Sequence, residues 1–137
     1  METKFKFNSQ VCTSRSQSDK LLALGLKKET ADMVHCYKET TQIGDWFVLP
    51  LYNGDNRYTK REIPAWSLHR LLELSPELVK QETPYFTKDG NVELVNGDGI
   101  VTKAWGGKSL YDALIDFFQW LIKEGYFNKE YLNEHKD

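Results

Sequence analysis

Apolar residues recur with helical spacing along the last third of the chain. In the stretch "SLYDALIDFFQWLIKEGY" they fall at i, i+3, i+4, i+7 and onward, so they share one face of an amphipathic helix. Ser109 can cap the start of this helix, and Gly125 can end it. The pattern predicts a long helix over residues 109–125. Its apolar face consists of Leu110, Ala113, Leu114, Phe117, Phe118, Leu121 and Ile122.

Shorter helical patterns occur near both ends of the chain. The stretch "QSDKLLALG" predicts a helix over residues 17–24, with Ser16 and Ser18 as candidate N-caps and Gly25 as its end. A further helical turn is expected in "KKETADM", and a final short helix in "NKEYLNEH". These elements are brief, so packing against the rest of the protein must hold them.

The stretch "IPAWSLHRLLEL" predicts a third helix, over residues 67–75. With Ser67 as N-cap, Trp66 and Leu71 take the two positions of a hydrophobic staple. Ser67 and His69 also suggest a nucleophile and its base, but residues two apart on a helix point to different faces. The capping interpretation therefore accounts for the stretch, and no catalytic residue is predicted there.

Alternating and β-branched stretches predict the strands. "MVHCYK" (33–38) has strand composition, and "DWFVLPLYNGDNRYTKREI" indicates a hairpin around the turn Asn53-Gly54-Asp55-Asn56. Pro50 cannot donate to a ladder, so the first strand of this hairpin is expected to be an edge or to break there. Two Gly-containing turns divide residues 84–105 into a three-stranded meander.

These elements predict one α+β domain over residues 1–137. An antiparallel sheet, made of the hairpin and the meander, packs against the long C-terminal amphipathic helix and one or two shorter helices. With 40% hydrophobic residues, including four Trp, seven Tyr and seven Phe, the chain can bury a substantial core.

Charge and hydropathy narrow the classes of function. A net charge of −2 argues against a nucleic-acid binder, although the N-terminal "KFKF" could serve either as an edge strand or as a nucleic-acid contact. No apolar run is long enough for a membrane span, and the N-terminus lacks the apolar core of a signal peptide. Two cysteines, Cys12 and Cys36, make no disulfide framework. We therefore expect a cytoplasmic protein with reduced thiols and no membrane association.

The sequence contains no motif that matches a known metal or cofactor site. The His and Cys residues lack the paired spacing of a zinc site, and adjacent His35 and Cys36 point to opposite faces of a strand. The Asn/Asp/Gly turns fail the ligand pattern of a calcium loop. No metal, cofactor or catalytic residue is predicted.

One strand-to-helix turn, in "AWGGKSLYDAL", could hold an anion at the helix N-terminus. A P-loop would need glycine at Thr102, so the match is partial, and Asp112 in the first turn would repel a bound anion. Helix capping, anion binding and, more remotely, nucleotide hydrolysis remain alternatives. The residues concerned are Gly106, Gly107, Lys108 and Ser109.

Aromatic residues offer a different interpretation, in which the chain binds a protein partner. Trp and Tyr bury large areas at little rotamer cost and are therefore good anchors in interfaces. The alternative is that they cover the core. The candidate anchors are Trp46, Tyr52, Tyr58 and Trp105.

Three blocks, "QSDKLLALGLKKETADM", "IPAWSLHRLLEL" and "YDALIDFFQWLIKEGYFNKEYL", span most of the chain. In these blocks the chain resembles small uncharacterised proteins of phages, prophages and mobile elements in gut Bacteroides-type bacteria. The resemblance implies a cytosolic accessory protein that binds a host component, and it assigns no site residue. The sequence thus favours a non-enzymatic protein-binding module, with a small-ligand or phosphate-binding protein as the alternative.

Overall fold

The computed structural model describes residues 9–39, 44–51, 62–107 and 109–134. Within these residues the α-helices are α1 (Arg15–Ala23), α2 (Leu68–Leu74) and α3 (Leu110–Glu124). The strands are β1 (Met33–Glu39), β2 (Gly44–Pro50), β3 (Glu62–Ala65), β4 (Thr83–Phe86), β5 (Asn91–Val95) and β6 (Val101–Gly106). Two 3-10 turns span Lys28–Thr30 and Lys129–Tyr131.

Helix α3 confirms the strongest sequence pattern. The Ser109 side chain accepts a hydrogen bond from the Asp112 N–H at 3.2 Å, and Gly125 ends the helix with a left-handed φ of 81°. The buried face of α3 consists of Tyr111, Ala113, Leu114, Ile115, Phe117, Phe118 and Leu121.

No helix in the described part of the chain is long and apolar enough to cross a membrane.

The predicted meander is also confirmed. Strands β4, β5 and β6 form an antiparallel sheet in that order, and α3 packs against β5 and β6. Val92 and Leu94 alternate along β5 and are fully buried in the same core cluster as α3. This alternation is the pattern of a sheet with one face on the core. The α+β fold class follows from these contacts.

The remaining strands form a second antiparallel sheet, in the order β2-β1-β3. The end of the predicted hairpin is placed differently: Glu62 and Ile63, from its second strand, belong to β3 and pair with β1 rather than with β2. The turn Asn53-Gly54-Asp55-Asn56 lies outside the described residues. β1 takes the central position because its Val34 and Cys36 are buried, whereas β2 is largely exposed. Pro50 lies at the end of β2, which among the described strands is an edge strand, as predicted.

Helix α1 begins two residues before its predicted start. The Ser14 side chain accepts from the Gln17 N–H at 3.1 Å, and the Gln17 side chain accepts from the Ser14 N–H at 2.9 Å, which is a capping box. Neither Ser16 nor Ser18 is the cap, and the Ser18 hydroxyl is instead buried against that of Thr13 at 2.8 Å. Only a 3-10 turn replaces the predicted last helix.

Trp66 joins the start of α2 to the segment before α1. The Thr13 N–H donates to the Trp66 carbonyl at 2.8 Å, and the Trp66 N–H donates to the Thr13 hydroxyl at 3.1 Å. The indole N–H of Trp66 donates to the Thr30 hydroxyl at 2.9 Å. Trp66 and Leu71 are both fully buried in the core cluster, as the staple predicts.

We expect Trp66→Phe to lower the free energy of unfolding by about 2 to 3 kcal/mol, because it leaves a cavity and removes a buried hydrogen bond. Urea unfolding measures this change. Trp120→Phe is the matched control, since Trp120 is only half-buried, and it should cost about 1 kcal/mol or less. Equal losses in the two variants would contradict the assigned role of Trp66.

Candidate functional site

The Ser67 hydroxyl forms hydrogen bonds at the start of α2. It accepts from the Arg70 N–H at 3.1 Å and donates to the Asp32 carboxylate, which also accepts from the Ser67 N–H at 2.8 Å. His69 is 84% exposed and lies beside Glu73, with 3.7 Å between Nε2 and Oε1. Ser67 therefore serves as the N-cap that the sequence predicts, and its hydroxyl is oriented by a carboxylate rather than by an imidazole.

The turn before α3 presents a carboxylate where an anion would bind. Gly106 and Gly107 are exposed at the end of β6, and Lys108 lies outside the described residues. The Asp112 carboxylate accepts from the Gln17 amide at 2.8 Å and from the Ser109 hydroxyl at 3.3 Å. These contacts are those of a capped helix start, and the negative charge of Asp112 would repel an anion bound at the same place.

The predicted aromatic anchors fall into different environments. Trp105 is half-buried, with ring centroids 4.9 Å from Phe117 and 5.3 Å from Trp120, so it covers the core. Tyr52 and Tyr58 lie outside the described residues. Among the described residues, Trp46 on strand β2 is therefore the remaining candidate, and Tyr52 and Tyr58 stay predictions.

Two neighbours hold the Trp46 ring. Its centroid lies 5.2 Å from that of Tyr37 on β1, and the Arg15 guanidinium lies 4.3 Å above the indole. This cation–π contact joins the first turn of α1 to β2, and no pattern in the sequence indicates it.

The backbone of β2 is paired on one side only among the described residues. The Leu51 N–H donates to the Asp32 carbonyl at 2.9 Å, so the peptide groups of Leu51 face β1. In an antiparallel pair these groups alternate in direction, so those of Leu49 and Phe47 face β1 as well. The peptide groups of Trp46 and Val48 therefore face outward. The Asp45 carboxylate accepts from the Trp46 N–H at 2.9 Å. No described hydrogen bond reaches the outward groups of Val48.

Exposed apolar side chains accompany these backbone groups. Phe47 and Val48 are each 37% exposed, on opposite faces of the strand, and Leu51 just beyond it is 38% exposed. An exposed apolar edge strand is a template for pairing with another chain. We therefore take the outer edge of β2 as the candidate functional site.

A shallow depression runs along the exposed side of α1, next to this edge. The depression is lined by Ser14, Arg15, Ser16, Asp19, Lys20 and Ala23.

Among the described residues no three His, Cys, Asp or Glu side chains come together as a metal site would require.

Comparisons with known protein families, with curated proteins and with solved structures find no match to this chain. Its candidate site therefore rests on the geometry of its own residues.

Both thiols are buried, which changes how the protein should respond to alkaline pH. Burial raises the pKa of Cys12, and the negative charge of Asp32 raises it further. Burial likewise raises the pKa of Cys36, with a further contribution from Glu62. In the unfolded chain a thiol ionises with a pKa of about 8.5. Above that pH the unfolded state has lost protons that the folded state keeps, so the folded state becomes less favoured.

We expect the contribution of the two thiols to the free energy of unfolding to be constant below about pH 8.5 and to be lost as pH rises through the folded thiol pKa values. Urea unfolding at stepped pH measures this profile. The double variant Cys12→Ala/Cys36→Ala should show a weaker decline, and identical slopes for the two proteins would refute the assignment.

Proposed function

We propose that this chain is a non-enzymatic binding module that takes up an extended segment of a partner protein along the outer edge of β2. The observation that carries the proposal is the outward peptide group of Val48, which no hydrogen bond reaches among the described residues, set in an exposed apolar strand. In strand addition of this kind, main-chain hydrogen bonds give affinity and the alternate side chains give specificity.

The two ends of β2 limit where a partner strand can bind. Pro50 has no N–H, and the Asp45 carboxylate already occupies the N–H of Trp46. The centre of the strand is left available, around Val48. This arrangement favours a short docked segment over open-ended sheet growth.

The proposed setting follows the resemblance to phage and mobile-element proteins. In that setting the module is a cytoplasmic accessory protein, and the partner is a protein of the host cell. Small proteins of that kind often act by binding host components. The resemblance supports a binding role without assigning the edge of β2, which is argued from geometry alone.

Val48→Pro tests the edge directly, because it removes the outward N–H while leaving the bonds between β1 and β2 in place. Linear peptides selected from a random display library on the wild-type protein serve as probes. We expect Val48→Pro to weaken their binding by about tenfold or more, measured as Kd by fluorescence anisotropy. Val48→Thr keeps the N–H and should bind nearly as the wild type does.

The stability of the variants checks the strand orientation independently. The Phe47 N–H faces β1, so Phe47→Pro should lower the free energy of unfolding by about 3 kcal/mol, whereas Val48→Pro should cost far less. If every selected peptide binds Val48→Pro as tightly as it binds the wild type, or if selection yields no peptide, the proposed function is rejected.

A further inference from the structure

Arg15 is a fixed cation beside the edge of β2. It is exposed at the first position of α1, and its guanidinium lies 4.3 Å from the centroid of the Trp46 ring. It makes no ion pair within the part of the chain that the structure describes. An arginine stacked on an indole keeps its planar donor fork available at the ring edge. Its charge is thus held in place, and no carboxylate of the described residues pairs with it.

The two faces of β2 differ in chemistry. Side chains alternate along a strand, so Trp46 and Val48 share the face on which Arg15 lies, and Phe47 points to the opposite face. A strand added to this edge continues both faces. Its alternate side chains therefore meet either the Arg15 cation or the exposed Phe47 ring.

From this geometry we infer that the docked segment is an acidic amphipathic strand, with a carboxylate facing Arg15 and apolar side chains facing Phe47. The inference rests on the proposed function and specifies the partner of the same site. Directly opposed residues on neighbouring strands have Cβ atoms about 5 Å apart. A Glu opposite Val48 lies diagonal to Trp46, at a Cβ separation of about 7 to 8 Å, so its long side chain would bring a carboxylate within reach of the guanidinium.

Charge also selects against other occupants. A basic segment would bring a second cation next to Arg15, and this repulsion adds discrimination between partners. A nucleic-acid strand needs several cations along its path, whereas Arg15 is the one cation that the described residues place over this face of β2. The Asp45 carboxylate at the start of β2 disfavours an acid placed at that end of the edge, which helps to fix the register.

The test uses the most enriched peptide from the display selection, labelled with fluorescein, together with a version whose carboxylates are replaced by amides. We expect acidic residues at alternate positions, and a Kd about tenfold weaker for the amide peptide. Arg15→Gln should weaken binding of the acidic peptide by about the same factor, and Arg15→Lys by less, because it keeps the charge without the fork.

Two controls isolate the role of Arg15. Lys20→Gln removes another exposed positive charge of α1 and should leave Kd unchanged. Charge reversal provides the sharper control: Arg15→Glu should lose the acidic peptide and bind a version with Lys in place of the acidic residues. An oligothymidylate competitor should not displace the peptide.

The outcomes separate the two claims. If Val48→Pro abolishes binding but the peptides carry no acidic bias and bind Arg15→Gln as they bind the wild type, the acidic inference fails and strand addition stands. If Val48→Pro binds normally, the proposed function fails, and the inference fails with it. Displacement by oligothymidylate would overturn the peptide assignment in favour of nucleic acid.

Discussion

Much of this structure is constrained by the burial of Trp66, because each polar group of this residue needs a hydrogen-bond partner. The side chain is fully buried, and leaving its N–H without a partner would cost about 1 to 3 kcal/mol. Thr30 accepts that N–H, and Thr13 pairs with the Trp66 backbone. The segment before α1, the first 3-10 turn and the start of α2 must therefore meet around a single ring.

The candidate site depends on the same constraint. The Thr13 carbonyl oxygen lies 2.7 Å from His35 Nε2, and since a carbonyl can only accept, the imidazole donates from Nε2. Thr13 is thus fixed to Trp66 on one side and to β1 on the other. Arg15 follows two residues later, so the same bonds place it over Trp46 on the neighbouring strand. The chain of contacts runs from a buried tryptophan to an exposed cation.

Local signals determined how much of this could be predicted. The capping serines and the apolar stripe predicted α2 and α3, and the Gly turns predicted the meander, because each involves residues close in sequence. The division into two sheets and the position of β3 depend on distant pairings. The bonds from Trp66 to Thr13 and from Ser67 to Asp32 span 53 and 35 residues. Trp46 could be singled out as an aromatic residue, but no pattern links it to Arg15.

The edge strands of the two described sheets differ in the residues that discourage pairing with another chain. Proline lies within β3 at Pro64 and within β4 at Pro84, and β6 carries Lys103, whose ammonium would have to be dehydrated by an added strand. In β2 the proline is displaced to the end, at Pro50, and within residues 9–39, 44–51, 62–107 and 109–134 no hydrogen bond reaches the outward peptide group of Val48. Natural sheets protect their edges with such residues, and this difference between β2 and the other described edge strands is what supports the proposal of a binding site there.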